Sequence, residues 1–240
     1  MQLLTGKNLT QTFTCKTKTT DMQLSSFLQR FSEPETLKMA KLGRELREKG
    51  IDVIDLSLGE PDFDTPDHIK AAAVKAIHDN WSHYSPVPGF LDLREAVCIK
   101  LKRDNNLNYK PENIVTSTGA KQSLANILLA VVDEGDEVLI PTPYWVTYSE
   151  LVKIARGKVV EIHSSSASGF KITPQQLEAA ITDKTKLFMF SSPCNPSGAV
   201  YSKEELEALT AVFSKHPGIF ILSDEIYEYI KPRISNCFQT

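Results

Sequence analysis

The hydrophobic pattern of the chain becomes regular from about residue 113, where short apolar runs alternate with segments of helical periodicity. The runs predict strands at 113–117, 136–141, 158–162, 186–191 and 218–223. The segments between them predict helices at about 121–132, 145–155, 174–181 and 203–214. Strands that alternate with helices are typical of a mostly parallel sheet. We therefore predict a three-layer α/β fold with helices on both faces of the sheet.

Helix-start signals and apolar spacing predict further elements in the first hundred residues. Helices are predicted at about 33–50, 65–80 and 91–103, and a short strand-like segment at 53–58. Thr65 and Pro66 have the residue types of an N-cap and a first helical position. The same start recurs at Thr173-Pro174, and Ser202 and Glu205 have the spacing of a capping box.

Composition excludes several classes of function. A net charge of −3 over 240 residues gives no indication of nucleic-acid or membrane binding. The four cysteines are far apart and form no CxxC pair, and the five histidines show no helical pairing, so neither disulfides nor a metal site is predicted. Reduced thiols favour a cytoplasmic enzyme. Residues 1–23, which begin rich in Thr, Gln and Lys, are interpreted as a flexible N-terminal extension.

A turn at Thr118–Ser123 follows a predicted strand and opens a predicted helix. Free backbone N–H groups at the start of a helix suit a phosphate. An ordinary strand–helix turn explains the same residues, and both interpretations remain open. The turn lacks the glycine and lysine spacing of a Walker A loop, and no GxGxxG sequence indicates a dinucleotide.

Three other segments place side chains that could bind a ligand at the ends of predicted strands. Trp145 follows the second strand and could stack on a flat ligand or belong to the core. Asn195 follows the fourth strand. Asp224 ends the last apolar run, and a buried carboxylate there needs a cationic or hydrogen-bonding partner. A protonated pyridine nitrogen is one such partner; a helix N-cap or a structural ion pair is the other interpretation. Tyr227 could reach the same ligand.

The order of these segments is more specific than any one of them. The set comprises LSLGEPDFDTP at 56–66, HYSPVPG at 83–89, STGAKQSL at 117–124, PTPYW at 141–145, CNPSGAVY at 194–201 and SDEIYEY at 223–229. From about Leu24 to Ile230 the chain resembles the class I aminotransferases, in particular the bacterial-type aspartate aminotransferases. The resemblance implies the fold type I of pyridoxal-phosphate (PLP) enzymes.

The resemblance also implies roles for individual residues. The PLP phosphate would be held by the amides of Ala120 and Lys121, the ring by Trp145 and Asp224, and the phenolic oxygen by Asn195 and Tyr227. Tyr84 would reach the phosphate of a neighbouring subunit in a homodimer. The substrate-binding residues implied are Gly59, Lys121, Trp145 and Asn195. The lysine at position 121 is associated in this branch with the distal carboxylate of acidic substrates, although a solvated lysine at a helix start is equally consistent with the sequence.

The implied activity is PLP-dependent transfer of an amino group between an amino acid, aspartate or another acidic compound, and a 2-oxo acid. A carbon–sulfur lyase of the same fold type is an alternative, since such enzymes share the Asn, Asp and Tyr positions. No nucleic-acid or membrane partner is implied.

One residue that the resemblance requires is not found. The family's Schiff-base lysine lies a few tens of residues beyond the SDEIY motif, and Lys231 is the only lysine after Asp224. No catalytic residue is therefore assigned. We expect residues 24–57 to start a small domain, 58–230 to form an incomplete PLP-binding large domain, and 231–240 to be a divergent tail of a truncated chain. A non-catalytic fragment is the alternative hypothesis for function.

Overall fold

A computed structural model describes residues 25–30, 35–54, 59 and 63–230 of the chain. The predicted N-terminal extension, most of the strand-like segment at 53–58, and the tail at 231–240 lie outside the described residues. A short 3-10 helix, Ser26–Arg30, belongs to an N-terminal unit of its own. All other described elements belong to one second unit.

Four parallel strands form the sheet at the centre of this unit. They are β1 (Glu137–Pro141), β2 (Lys158–Ile162), β3 (Thr185–Ser191) and β4 (Phe220–Asp224), in the spatial order β2-β1-β3-β4. From β1 the chain goes to β2, at one edge of the sheet. It then crosses back over β1 to β3 and continues to β4, at the opposite edge. The carboxyl ends of β1 and β3 therefore flank a topological switch point, which is where open α/β sheets bind ligands.

Seven α-helices accompany the sheet in the described residues. They are α1 (Glu35–Glu48), α2 (Asp67–His78), α3 (Leu91–Asn105), α4 (Ala120–Val131), α5 (Thr147–Ile154), α6 (Pro174–Ala180) and α7 (Lys203–Phe213). Both predicted caps in the second half of the chain are confirmed: the Gln176 amide donates to Thr173 Oγ1 at 3.2 Å, and the Glu205 amide donates to Ser202 Oγ at 3.2 Å. None of the described helices is long and apolar enough to cross a membrane.

The core has two halves, one on each face of the sheet. On one face α4 and α5 pack through Leu128 and Val152 against β1 and β3. On the other face α6 and α7 pack through Leu177 and Leu209 against Phe188 of β3. The side chains of successive strand residues point to opposite faces, and the two central strands, β1 and β3, are buried on both faces. The predicted three-layer α/β fold is confirmed.

The prediction of a strand at 113–117 is wrong. Residues Pro111–Asn113 form a 3-10 turn and 114–117 have no regular structure. No described strand pairs with this segment, and the Thr116 amide donates instead to the carbonyl of Pro88 at 3.0 Å. An apolar run becomes a strand only where a neighbour completes its hydrogen bonds. The start of α2 also differs by one position, because Pro66 rather than Thr65 precedes its first residue and no side chain caps it.

Candidate functional site

Several of the predicted site residues lie at or next to the carboxyl edge of the sheet. β1 ends at Pro141, and β3 and β4 end at the paired residues Ser191 and Asp224. The loops that follow β1 and β3 carry Trp145 and Asn195. This edge is therefore the candidate functional site.

Asp224 is the buried acid of the site, with 8% of its surface exposed. Tyr148 of α5 donates a hydrogen bond from its hydroxyl to Asp224 Oδ2 at 2.8 Å, and the Ile226 amide donates to Oδ1 at 3.2 Å. Burial and the bond to this carboxylate raise the pKa of Tyr148, so the hydroxyl remains a donor. None of the described Lys, Arg or His residues forms an ion pair with Asp224. The structural ion pair that the sequence left open is therefore not present among the described residues.

Trp145 connects this acid to the start of α4. Its ring lies edge-to-face against Tyr148, with 5.8 Å between ring centroids and 83° between ring planes. The ammonium of Lys121 lies 5.0 Å from the centroid of the indole. Lys121, Trp145, Tyr148 and Asp224 thus form a continuous series of side-chain contacts along the sheet edge, which we call the edge series.

The first turn of α4 has the geometry of an anion site. Gly119, at φ +81°, precedes the helix, and the space where its Cβ would lie is open. The backbone amides of Ala120 and Lys121 have no acceptor among the described residues. The Thr118 amide, by contrast, is satisfied by Gln122 Oε1 at 2.5 Å. Two free N–H groups at the positive end of a helix are suited to a phosphate.

The loop after β3 is fixed beside the loop after β1. Cys194 Sγ contacts the carbonyl of Pro143 at 3.2 Å, and the Gly198 amide donates to the Cys194 carbonyl at 2.7 Å. The half-buried side chains of Asn195 and Tyr227 have no hydrogen-bond partner among the described residues. An amide and a hydroxyl of this kind can serve a ligand oxygen.

Two other predicted residues, Tyr84 and Gly59, are exposed, and no described contact joins them to the edge series. Tyr84 is fully exposed on the loop between α2 and α3, with a relative exposure of 105%. Gly59 is exposed and has nothing within 4 Å of its Cβ position. The residues on both sides of Gly59, at 55–58 and 60–62, lie outside the described part of the chain.

Tyr148 is the residue of this site that the sequence did not predict. Its position three residues after Trp145 was the available signal, because side chains three apart in a helix share a face. The sequence pattern only placed it within the helix predicted at about 145–155. Its hydrogen-bond acceptor, Asp224, is 76 residues away in sequence.

The donor set of the site fits PLP. Free amides at a helix start suit its phosphate, an indole suits its ring, and a buried carboxylate without a cation suits a protonated ring nitrogen. Lys121 is the only lysine in the edge series. The described residues therefore fit the binding of the group, and no described residue of the series is assigned to covalent attachment.

Comparisons with known proteins agree with this chemistry. Residues 51–231 match the family model of aminotransferase class I and II. The aspartate/prephenate aminotransferase of Cereibacter sphaeroides is 48% identical over 207 residues, which is 86% of this chain and 52% of that protein. The chain thus spans about half the length of the curated relatives it matches.

Solved structures show the same relation. The aspartate aminotransferase of Rhizobium meliloti superposes with a TM-score of 0.86 at 42% identity, covering 91% of this chain and 54% of that one. The Thermus thermophilus aspartate aminotransferase with maleate gives a TM-score of 0.82 at 43% identity, covering 86% and 54%. With the family model matching most of its length, this chain belongs to the class I and II aminotransferases.

Proposed function

We propose that this chain forms the cofactor-binding part of a PLP-dependent aminotransferase that transfers the amino group of aspartate, or of another acidic amino acid, to a 2-oxo acid. The observation that carries the proposal is the edge series. It joins a cation at a helix start to a buried carboxylate through the Trp145 indole and the Tyr148 hydroxyl. Aminotransferases of this family use PLP.

Each part of the site has a separate task. When bound, PLP supplies an electron sink for the carbon that carries the amino group. Asp224 holds a proton at the ring nitrogen, because a buried carboxylate favours a cation beside it. Tyr148 fixes the orientation of that carboxylate by donating to Oδ2. Trp145 packs against the ring, and the amides of Ala120 and Lys121 bind the phosphate.

The phenolic oxygen is the remaining polar group of the cofactor. Asn195 and Tyr227 have side chains that can donate to it, and neither donates to another described group. Gly59 would accommodate the substrate carboxylate through its backbone. Trp145 and Asn195 would border the substrate as well as the cofactor.

Lys121 supports an acidic substrate. Its ammonium is exposed at the site and contacts the face of Trp145, where it can pair with a second carboxylate. The Cereibacter sphaeroides relative is named for aspartate and prephenate, and the Thermus thermophilus structure contains maleate, a dicarboxylate. A dicarboxylic substrate is therefore the class that we propose.

Tyr84 supports a homodimer. A fully exposed tyrosine on a loop with the exposed Val87 and Trp81 suits an interface in which its hydroxyl reaches the phosphate of the partner subunit. We also propose a cytoplasmic location, which agrees with the free thiols of Cys98 and Cys194.

Binding of pyridoxamine 5′-phosphate tests the cofactor site directly, since this amine cannot react with surface lysines. The ligand is titrated into the full chain, and quenching of tryptophan fluorescence should show saturable binding. Pyridoxamine, which lacks the phosphate, should need concentrations about tenfold higher or more for the same saturation, because a charge-assisted contact is lost. Asp224→Ala should weaken binding, whereas the exposed Asp183→Ala should not. Equal affinity for the wild type and Asp224→Ala would contradict the proposal.

The activity is tested by an assay of aspartate with 2-oxoglutarate in the presence of PLP. Lys121→Gln should reduce turnover of aspartate more than turnover of alanine, because only aspartate carries a second carboxylate. Similar losses for the two donors would contradict the role of Lys121. Absence of turnover with retained cofactor binding would contradict the activity of the chain and leave the binding site established.

A further inference from the structure

A polar cluster joins the segment after β4 to the last turns of α3. We call it the α3 clamp, and it consists of Lys100, Asp104, Asn105, Glu228 and Tyr229. The residues come from two parts of the chain that are more than 120 positions apart, Lys100 and Glu228 being separated by 128. Glu228 and Tyr229 lie in the SDEIYEY motif, but none of the roles assigned to that motif or to the proposed site accounts for this cluster.

The centre of the clamp joins three side chains by hydrogen bonds. Lys100 Nζ donates to Glu228 Oε2 and, at 2.9 Å, to Asn105 Oδ1. Asn105 Nδ2 completes the arrangement by donating to Glu228 Oε1 at 2.6 Å. The side chains of Lys100 and Glu228 are only 27% and 19% exposed. Because both carboxylate oxygens are bound, the position of Glu228 is fixed in direction as well as in distance.

Tyr229 extends the clamp by one residue. Its hydroxyl donates to Asp104 Oδ2, and the Lys100 ammonium lies 5.1 Å from the centroid of its ring. Arg103 pairs with the same Asp104 carboxylate. Two consecutive residues of the segment after β4 are thus anchored to one helix end.

The anchored residues directly follow Tyr227. The turn that carries Tyr227 is short: the Glu228 amide donates to the Glu225 carbonyl at 3.0 Å, and the Ile230 amide donates to the Tyr227 carbonyl at 2.9 Å. The Tyr227 hydroxyl has no partner of its own among the described residues. Its position is therefore set by the backbone, which β4 holds on one side and the α3 clamp holds on the other.

We propose that the α3 clamp is a positioning device that holds the hydroxyl of Tyr227 at the cofactor's phenolic oxygen. The proposal rests on the proposed function for the identity of the ligand, but not for the mechanical link between the clamp and Tyr227. Glu228 is the central positioning residue, since it binds both Lys100 and Asn105. A clamp that only stabilises the fold would leave the Tyr227 ring where it is.

The first test needs no cofactor. The full chain is labelled with 3-fluorotyrosine, and the Tyr227 and Tyr148 resonances are assigned from Tyr227→Phe and Tyr148→Phe. Glu228→Gln should shift or broaden the Tyr227 resonance and leave that of Tyr148 unchanged. Glu225→Gln is the matched control, because it removes the same charge from the same turn without a contact to α3. A Tyr227 resonance that is unchanged in Glu228→Gln, or equally changed in Glu225→Gln, overturns the proposal.

The second test asks whether the clamp acts through Tyr227. Glu228→Gln should weaken binding of pyridoxamine 5′-phosphate by up to about tenfold, the factor for one lost hydrogen bond. In a Tyr227→Phe background the same substitution should have no further effect on affinity. Equal weakening in both backgrounds overturns the positioning role. If the wild-type chain does not bind the ligand, the proposed function fails, while the fluorine resonances still decide the link between clamp and Tyr227.

Discussion

The sheet with α4–α7 and the pair α2–α3 are held in place by different forces. In the first region Leu128 and Leu187 are fully buried, and two apolar clusters enclose the sheet. In the second region neither helix contains a buried residue, and Ile77 is 75% exposed. Regions with few buried apolar contacts open at lower free energy than a packed core. We therefore expect the region that carries the acid and the indole of the site to be the more stable of the two.

The contacts that hold α3 are mainly polar. Arg94 donates from Nε to the Gly89 carbonyl at 3.2 Å and from Nη1 to the Pro111 carbonyl at 2.8 Å. The α3 clamp holds the other end of the helix. The loop that carries Tyr84 therefore depends on directional bonds, which tolerate less change in geometry than apolar packing.

A matched pair of leucine truncations tests this difference most strongly. Leu128→Ala in α4 removes a fully buried side chain and should lower the free energy of unfolding by about 2–5 kcal/mol. Leu93→Ala in α3 removes a side chain that is 49% exposed, and its cost should remain below about 1 kcal/mol. Urea denaturation followed by circular dichroism measures both. Equal costs would show that α3 is as well packed as the sheet region.

Gly89→Ala should break the attachment of the Tyr84 loop. Gly89 has φ +94°, and a Cβ there would lie 1.9 Å from Thr116 Oγ1. Strain in the backbone and overpacking together should cost about 2–4 kcal/mol. Gly50→Ala is the control, because Gly50 has φ +76° but no atom lies within 4 Å of its Cβ position. Its substitution should cost only the backbone strain, about 1–2 kcal/mol of unfolding free energy. Thermal unfolding and limited proteolysis of the 81–90 loop distinguish the two variants.

The sequence predicted the sheet region well because its signals are local. Capping residues such as Ser202 and short apolar runs define elements without reference to distant parts of the chain, and the four strands from 136 onward are confirmed within two residues at each end. The predicted strand at 113–117 failed because strand formation depends on a neighbour, and no local signal reports whether one is present.

Local motifs also indicated part of the candidate site. The order of motifs indicated Asp224 and Trp145, and the structure joins them through contacts. Tyr148 follows Trp145 at helical spacing and Glu228 lies in the SDEIYEY motif, but no local signal reports the contacts that these two residues make. Their partners lie 76 and 128 residues away, so only the folded chain brings them together. The roles of all the predicted site residues, Tyr84 and Gly59 among them, remain predictions.

Tyr148→Phe tests a buried polar contact within the sheet region. The substitution keeps the ring but removes the donor to the buried Asp224 Oδ2, so it should cost about 1–3 kcal/mol of unfolding free energy. Tyr144→Phe is the control, since the Tyr144 hydroxyl donates to the exposed Glu161 at 2.7 Å and water can replace it. Its cost should be below about 1 kcal/mol. Urea denaturation of both variants gives the comparison, and a cost for Tyr144→Phe that equals the cost for Tyr148→Phe would contradict it.

The smallest expected effect concerns Glu137, which lies at the amino end of β1, away from the candidate site. Hydrogen bonds from Lys158 at 2.9 Å and from Thr182 at 2.7 Å lower the pKa of this buried carboxyl. A lowered pKa in the folded state gives stability above the ordinary value of about 4.3, and this stability is lost as pH falls through the folded pKa. Glu137→Gln should therefore lower the free energy of unfolding by about 1 kcal/mol at pH 7, and the difference from the wild type should shrink below about pH 4.

A Lys158→Met background tests the cause of this stabilisation. There Glu137→Gln should lower the free energy of unfolding less at pH 7, because the main cause of the lowered Glu137 pKa is gone. Urea denaturation between pH 7 and pH 3 measures the difference, and a cost that is constant over this range would show that the Glu137 carboxylate does not stabilise the sheet.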